Sequence, residues 1–189
     1  MGLPVGDSKE SSLRRLSKSL SETRTPYAVI GGVAVQLYTE EPRTTRDIDV
    51  AMASYDAIPR ESLERAGFRH EGRFEHSDNW RAPGPEPRKR RTAIQFMANR
   101  LTVGVVERAE TFRVRGMRIR VATLPDLVRL KLEAAEEPAR RESKRQSDVA
   151  DVLRLMEEHP ELARAVPDAR ERLASIVTRT AAALRDRGR

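Results

Sequence analysis

Two aspartates one residue apart interrupt an otherwise apolar stretch, "DIDVAM", at residues 47–52. Strand side chains alternate between the two faces of a sheet, so Asp47 and Asp49 share one face while Ile48 and Val50 share the other. Neighbouring carboxylates repel each other, and burying them without a partner is costly. The stretch therefore predicts a strand with one apolar face and one face that is either solvated or able to bind a cation.

Both interpretations of the aspartate pair are consistent with the residues around it. A divalent cation with a preference for hard oxygen ligands, such as Mg²⁺, would bind two carboxylates together with the phosphates of a substrate. The alternative is an edge strand on which Asp47 and Asp49 face solvent and pair with Arg43 or Arg46. The chain has no cysteine, which excludes thiolate metal sites and disulfides.

The segment before the aspartates, "VIGGVAVQLY", is a predicted strand that leads through Gly31 and Gly32 into a helix. Glycines allow a phosphate to approach the backbone closely, and the N-terminus of a helix offers free N–H groups and a favourable dipole. A lone glycine pair is also compatible with an ordinary turn between strand and helix. Its position next to the aspartates favours a phosphate site beside a metal site.

We predict an α/β (α+β) fold with a short mixed sheet flanked by helices and a helical C-terminal portion, divided as 1–123 and 124–189. Residues 69–91 show no clear pattern, and their centre, rich in proline and arginine, favours a loop over a sheet. The predicted elements are a helix at 9–21, a strand at 27–32, a helix at 33–40, a strand at 47–52, a helix at 58–68, a strand at 92–98, a hairpin at 111–122 and helices at 124–136, 141–158 and 167–187.

The chain carries a formal net charge of +7 and has a pI near 10.3, which favours polyanionic partners. The basic run "RKRR" at 88–91 is either a contact for the phosphates of a nucleic-acid acceptor or a solvated loop. No stretch approaches the roughly 18 apolar residues of a membrane helix, so we expect a cytoplasmic protein with no membrane partner.

The glycine pair, the helix and "RTTRDIDV" together resemble the nucleotidyltransferase superfamily with DNA polymerase β-like catalytic domains. The segment 121–155, "VATLPDLVRLKLEAAEEPARRESKRQSDVADVLRL", looks like the tail of the AbiEii-type toxin nucleotidyltransferases. The resemblance implies catalytic Asp47 and Asp49 that bind Mg²⁺ and hold an NTP. It further implies an acceptor such as tRNA or another RNA, and a cognate antitoxin protein in a toxin–antitoxin or phage-defence system. The nucleotide-binding residues that it implies are Gly31, Gly32, Thr45, Arg46, Lys131, Lys144 and Asp148.

The C-terminal candidates also have ordinary structural interpretations. Lys131 falls on the apolar stripe of its helix, where it either extends to the rim or reaches into a cleft as a point charge for a triphosphate. Lys144 and Asp148 stand at i and i+4, a spacing that suits a solvated ion pair. The predicted buried stripe of that helix is Val149, Val152, Leu153 and Met156.

The resemblance breaks down at one position. Active members of the superfamily carry a third carboxylate on a neighbouring strand, and the matching strand here, "TAIQFMA", has Gln95 in that place. Glutamine cannot take a proton from a hydroxyl at neutral pH. Either catalysis proceeds without this base, or a carboxylate from the segment 69–91 replaces it, or the chain is a nucleotide- or partner-binding module. The candidate replacements are Glu71, Glu75 and Asp78, and His70 and Trp80 are candidates to line a nucleobase pocket.

A small-molecule transferase of the aminoglycoside-modifying kind is a further alternative. It would need an acidic acceptor pocket for a cationic antibiotic, and the basic character of the chain disfavours it.

Overall fold

The computed structural model describes residues 7–42, 44, 45, 47–84, 87 and 90–187. The chain divides into two compact units, Met1–Thr123 and Leu124–Arg189. The first unit contains a seven-stranded sheet with helices, and the second is helical.

The first unit alternates short strands with helices. Its strands are β1 (Ala28–Ile30), β2 (Asp47–Ala51), β3 (Arg69–Arg73), β4 (Asp78–Arg81), β5 (Ala93–Met97), β6 (Glu110–Val114) and β7 (Met117–Val121). Its helices are α1 (Asp7–Glu22), α2 (Gly31–Tyr38), α3 (Arg60–Arg65) and α4 (Arg100–Arg108), with a 3₁₀ turn at Tyr55–Ala57. The second unit consists of α5 (Leu124–Glu136), α6 (Glu142–Glu158), α7 (Leu162–Ala165) and α8 (Ala169–Arg187).

The sheet is mixed and has the strand order β3-β4-β5-β2-β1-β7-β6. At its centre β2 runs parallel to β5 and antiparallel to β1, and β1 runs parallel to β7. The outer pairs, β3 with β4, β4 with β5 and β6 with β7, are antiparallel. The predicted fold class, a mixed sheet flanked by helices with a helical C-terminal portion, is confirmed.

The two faces of the strands around β2 differ in polarity, as the period of two requires. One face is buried and mainly apolar. The opposite face, which we call the site face, is partly exposed and carries most of the polar side chains of these strands. The buried face carries Ile48, Val50, Ile94, Phe96 and Trp80. The site face carries Asp47, Asp49 and Ala51 on β2, Ala93, Gln95 and Met97 on β5, and Asn79 and Arg81 on β4.

The first half of 69–91, for which the sequence shows no clear pattern, forms the hairpin of β3 and β4. The two strands, "RHEGR" and "DNWR", hold mainly charged and polar residues, so no alternation of apolar residues marks them. Cross-strand pairing stabilises them instead, since Trp80 lies opposite Ile94 in the interior of the sheet. Residues 85, 86, 88 and 89, which include half of "RKRR", lie outside the described residues.

Asp78 holds this hairpin to the rest of the first unit. It is fully buried and accepts hydrogen bonds of 2.6 Å from both the Trp80 indole N–H and the Arg60 guanidinium. His70 Nε2 lies 3.1 Å from Oδ1 of Asp78, the oxygen that also accepts from Trp80. A buried carboxylate requires such donors, because an unpaired charge in the interior is strongly unfavourable.

Helix α1 is amphipathic, as the leucine spacing predicts, and Leu13, Leu16 and Leu20 are buried. Its outer side contacts the β6–β7 hairpin, where Glu10 lies 2.6 Å from the Arg115 guanidinium. The hydrogen bond from Arg115 lowers the pKa of Glu10. In the helical unit the Arg172 guanidinium, 2.6 Å from Glu136, similarly lowers the pKa of that carboxyl and joins α8 to α5.

Helix α4 and the short helix α7 were not expected from the sequence. Asn99 begins α4 with a capping box, in which its side chain accepts from Leu101 and Thr102 and the Thr102 hydroxyl accepts from the Asn99 backbone. Thr102 also donates to the Met52 carbonyl at 2.8 Å and thereby fixes α4 to the end of β2. Within the described part of the chain, no helix is long and apolar enough to cross a bilayer.

We expect Asp78→Ala to lower the free energy of unfolding by about 2–3 kcal/mol, because it leaves the buried Trp80 indole without an acceptor. Trp80 is the only tryptophan of the chain, so its fluorescence in a urea titration reports on the first unit. The control is Asp56→Ala at an exposed position, with an expected change below about 0.5 kcal/mol. Equal losses in the two variants would contradict the proposed role of Asp78.

Candidate functional site

Asp49 lies directly against the backbone at the start of α2. A Cβ placed on Gly31 would lie 2.8 Å from the Asp49 Cγ and 2.9 Å from its Cβ, and closer still to Oδ2. Gly31 also has φ +64°, a conformation that L side chains rarely adopt. Only glycine fits this position, and its absent side chain leaves the space that the Asp49 carboxylate occupies.

The residue that precedes α2 does not cap this helix with its side chain. The residue before the helix, Ile30, has no side-chain oxygen and makes no capping hydrogen bond. Its Cα lies opposite Asp49 in the pairing of β1 with β2. Gly32 is buried in the first turn of the helix. The N-terminal N–H groups and the dipole of α2 are therefore next to the aspartate strand, as the order of the motifs predicts.

A row of polar side chains crosses three neighbouring strands on the site face. Asp49 on β2 is the register partner of Gln95 on β5, and Gln95 is the partner of Asn79 on β4. Register partners share a face, with about 4.8 Å between adjacent strands. The sequence correctly predicts Gln95 beside the aspartates, but the β4 residue Asn79 was missed.

Asn79 was missed because β4 itself was not recognised. Its side-chain oxygen is buried and has no hydrogen-bond partner among the described residues. The only available signal was the alternation in "DNWR", where Asp78 and Trp80 point into the core and Asn79 and Arg81 point to the site face. An orphaned acceptor in this row indicates a position adapted to a ligand or to an ordered water.

The second aspartate, Asp47, is two residues before Asp49 on the same face and is half-buried. Thr45 donates from its hydroxyl to the Asp47 carbonyl at 3.4 Å, which is a long contact with the backbone. Arg43 and Arg46 lie outside the described residues, so the predicted role of Arg46 stays a prediction.

The three carboxylates considered as replacements for the missing one occupy other places. Asp78 points to the buried face, opposite to Asp49, and is bound by Trp80 and Arg60. Glu71 lies on β3, two strands beyond β5, and accepts from Arg81 at 2.8 Å. Glu75, at the tip of the hairpin, has an 86% exposed side chain. None of the three stands in the row of Asp49 and Gln95.

Residues 9–178 match the model of a family described as "Nucleotidyl transferase of unknown function (DUF2204)". The chain belongs to this family. The superfamily that the sequence motifs indicate is thereby confirmed. None of the curated proteins matches the chain significantly.

Solved structures of nucleotidyltransferase-like proteins have the same fold. An antigenic nucleotidyltransferase-like protein from Paracoccidioides brasiliensis superposes with a TM-score of 0.57 at 17% identity, covering 90% of this chain and 94% of that one. The antibiotic-resistance factor ANT(2″)-Ia gives 0.55 at 13% identity, with coverage of 97% and 99%. The lincomycin-bound lincosamide antibiotic adenylyltransferase LnuA gives 0.50 at 14% identity, with coverage of 77% and 97%. Likeness at these identities establishes the fold.

The residues of the site face suit a magnesium ion by their chemistry. Asp47 and Asp49 offer carboxylate oxygens and Gln95 an amide oxygen, and Mg²⁺ commonly binds one or two carboxylates together with substrate phosphates. The space that Gly31 leaves for the Asp49 carboxylate keeps this group on the site face. In the described ranges no group of three or more His, Asp and Glu side chains is placed to hold a metal. Any ion here would thus depend on substrate oxygens in addition to the two aspartates.

The helical unit contains a buried ion cluster around Lys131. The Lys131 ammonium lies 2.7 Å from Asp148 and 2.8 Å from Asp151, and all three side chains are at most 10% exposed. Arg140 donates to the second oxygen of Asp148 at 2.9 Å, and Arg154 lies 3.5 Å from Asp151. The cluster joins α5 to α6, and two carboxylates compensate the charge of Lys131. Its predicted contact with a triphosphate stays a prediction.

The same helix corrects two details of the sequence interpretation. Asp148 is buried and pairs with Lys131 and Arg140, whereas Lys144 is exposed, so the expected solvated pair of Lys144 with Asp148 is not the environment of this aspartate. Leu153 is 46% exposed, and Leu155 takes its place in the buried stripe. Contacts with another helix determine which residues of this helix are buried and which ion pairs they form. The spacing of residues within one helix does not reveal these contacts.

We expect Gly31→Ala to cost more stability than Gly116→Ala. Both glycines have positive φ, +64° and +74°, so both variants carry a comparable backbone strain. A Cβ at Gly116 meets nothing within 4 Å, whereas at Gly31 it displaces Asp49. The extra cost of overpacking is about 1–3 kcal/mol, measured by urea unfolding followed through Trp80. Equal midpoints would show that the Asp49 carboxylate moves away without cost.

We expect Lys131→Met to destabilise the helical unit by about 3–5 kcal/mol, because two buried carboxylates lose their shared cation. Lys144→Met is the matched control at an exposed position of the same unit, with an expected change below about 0.5 kcal/mol. Thermal unfolding followed by far-UV circular dichroism measures both. A Lys131→Met protein as stable as the control would contradict the structural role of the cluster.

Proposed function

We propose that the chain is a Mg²⁺-dependent nucleotidyltransferase that moves a nucleotidyl group from an NTP to an acceptor. The observation that carries the proposal is the position of the Asp49 carboxylate, side by side with Asp47 on the site face and against Gly31 at the start of α2. Two hard oxygen ligands next to a helix N-terminus that its preceding residue, Ile30, does not cap suit a metal-bound triphosphate. The family to which the chain belongs supports the same reaction class.

In this proposal each group has a separate task. Asp47 and Asp49 would hold Mg²⁺, which when bound neutralises phosphate charge and aligns the leaving pyrophosphate. The first N–H groups of α2 would donate to phosphate oxygens, and the backbone at Gly31 allows close approach. Thr45, Arg46 and Lys131 are further candidates for nucleotide contacts, on the resemblance alone.

The cellular setting is proposed from the resemblance of one sequence segment to a known group of proteins. The resemblance of residues 121–155 to AbiEii-type proteins supports a cytoplasmic toxin with a cognate antitoxin and an RNA acceptor such as tRNA. The net charge of +7 is compatible with a polyanionic acceptor and disfavours a cationic antibiotic.

A second candidate is a nucleotide-binding module of the same fold without transferase activity. The observation that favours it is Gln95, an amide at the register position beside Asp49 where a third carboxylate would complete the site. Such a module would bind Mg²⁺ and NTP and form no product.

We expect purified protein, incubated with each α-³²P-labelled NTP, Mg²⁺ and total tRNA or cell lysate, to transfer label to an acceptor. Asp47→Asn and Asp49→Asn should each reduce transfer by on the order of 100-fold, since losing a metal ligand removes several kcal/mol of transition-state stabilisation. Asp56→Asn, at an exposed position of the same unit, should stay within about twofold of wild type.

Calorimetry of NTP binding in the presence of Mg²⁺ separates the two candidate functions. Binding that disappears in Asp49→Asn, without any labelled product from the wild type, supports the binding module. Undiminished transfer in both aspartate variants would rule out the proposed site.

A further inference from the structure

The structure describes every residue of the strands β2, β5 and β4. On these three strands the site face carries only two carboxylates. These are Asp47 and Asp49, and the next position of the row is the amide Gln95, followed by the amide Asn79. Glu71 is the nearest further carboxylate considered above, and it lies three strand spacings from β2, about 14 Å away, against Arg81. The place beside Asp49 is thus filled by a neutral group.

An amide in place of a carboxylate beside Asp49 changes which kind of nucleophile the site can activate. An alcohol must lose its proton as it attacks phosphorus, and a neighbouring carboxylate is one group that can take it. An amide has no basic atom at neutral pH. A phosphate monoester or a carboxylate carries no such proton and needs no base.

The electrostatics of the row point in the same direction. A third carboxylate beside Asp49 would repel an anionic acceptor, whereas Gln95 and Asn79 can donate hydrogen bonds through their NH₂ groups. The orphaned atom of Asn79 is its side-chain oxygen, which accepts a hydrogen bond from a donor such as water and does not itself bind an anion, so the attraction for an oxyanion comes from the NH₂ groups. That oxygen is available to the water that accompanies an incoming substrate.

We propose, on the basis of the function proposed above, that the acceptor is an oxyanion already ionised at neutral pH, a phosphate monoester or a carboxylate, rather than a hydroxyl. An oxygen of this anion attacks the α-phosphorus of the NTP and forms a new P–O bond. The bond between the α-phosphorus and its bridging oxygen to the β-phosphate breaks, and pyrophosphate leaves with the electron pair. The protein takes up no proton in this step, and the product is a phosphoanhydride or an acyl phosphate.

The test compares matched acceptors with α-³²P-labelled NTPs and Mg²⁺. The phosphate arm uses one oligoribonucleotide with a 5′-phosphate and a 3′-deoxy end, and the hydroxyl arm uses the same sequence with a free 3′-hydroxyl and no phosphate. The carboxylate arm compares a peptide acid with its amide, and cleavage of the product by hydroxylamine identifies an acyl phosphate. We expect transfer to an oxyanion to exceed transfer to the hydroxyl by about tenfold or more.

A substitution at Gln95 tests the cause of this preference. Gln95→Glu supplies a base, so the ratio of hydroxyl to oxyanion transfer should rise by about tenfold or more and should increase with pH. Gln95→Met removes the amide without adding a base, so its transfer to the oxyanion should fall with the lost donor, and its transfer to the hydroxyl should not rise with pH as that of Gln95→Glu does. Because each protein is compared with itself, partial losses of folded protein do not affect the ratio.

The outcomes separate this proposal from the one on which it rests. A wild type that fails to bind NTP with Mg²⁺ in calorimetry overturns the proposed function. A wild type that binds NTP but labels the hydroxyl in preference to every oxyanion overturns the acceptor class alone, whereas one that binds NTP and labels no acceptor at all supports the binding module and overturns both proposals. An unchanged ratio in Gln95→Glu likewise overturns it.

Discussion

The contact between Asp49 and the backbone of Gly31 is the constraint on which the site face depends. It requires a residue without a side chain, in a left-handed conformation, at the first position of α2. The pairing of β1 with β2 then places Asp49 opposite Ile30, and the parallel pairing of β2 with β5 places Gln95 on the other side. The close approach of Asp49 to Gly31 therefore fixes the position of the N-terminus of α2 relative to the two aspartates and to the amide side chains beside them.

Much of the fold is predictable because its apolar residues repeat with the periods of helices and strands. The leucines of α1, the apolar alternation of β2 and β5 and the β6–β7 hairpin give clear patterns, and the structure has these elements where they are expected. The β3–β4 hairpin and α4 are different. The strands of the hairpin are short and mainly polar and are stabilised by cross-strand partners, whereas α4 is a nine-residue helix that a capping box begins and that buries Val105 and Val106.

The aspartate strand and the glycine turn of the candidate site could be predicted because both are local in sequence. The residues that surround the buried charges of Lys131 and Asp148 could not be predicted, because they come from distant positions in the sequence. Lys131 and Asp148 stand 17 residues apart and meet only through the packing of α5 on α6. Spacing within one helix suggested Lys144 as the partner of Asp148, whereas burial selects Lys131 and Arg140.

Strand β4 connects the chemistry of one face of the sheet to the packing of the other. Asp78 and Asn79 are consecutive, so a slip of one residue in this strand would bring a carboxylate beside Gln95 and turn Trp80 out of the core. The hydrogen bonds of Asp78 to Trp80 and Arg60 oppose that slip. The packing of the buried face thus keeps the amide of Asn79, rather than the carboxylate of Asp78, on the site face. In evolutionary terms, a single-residue insertion or deletion near this hairpin would change the charge of the site face without any substitution of Asn79.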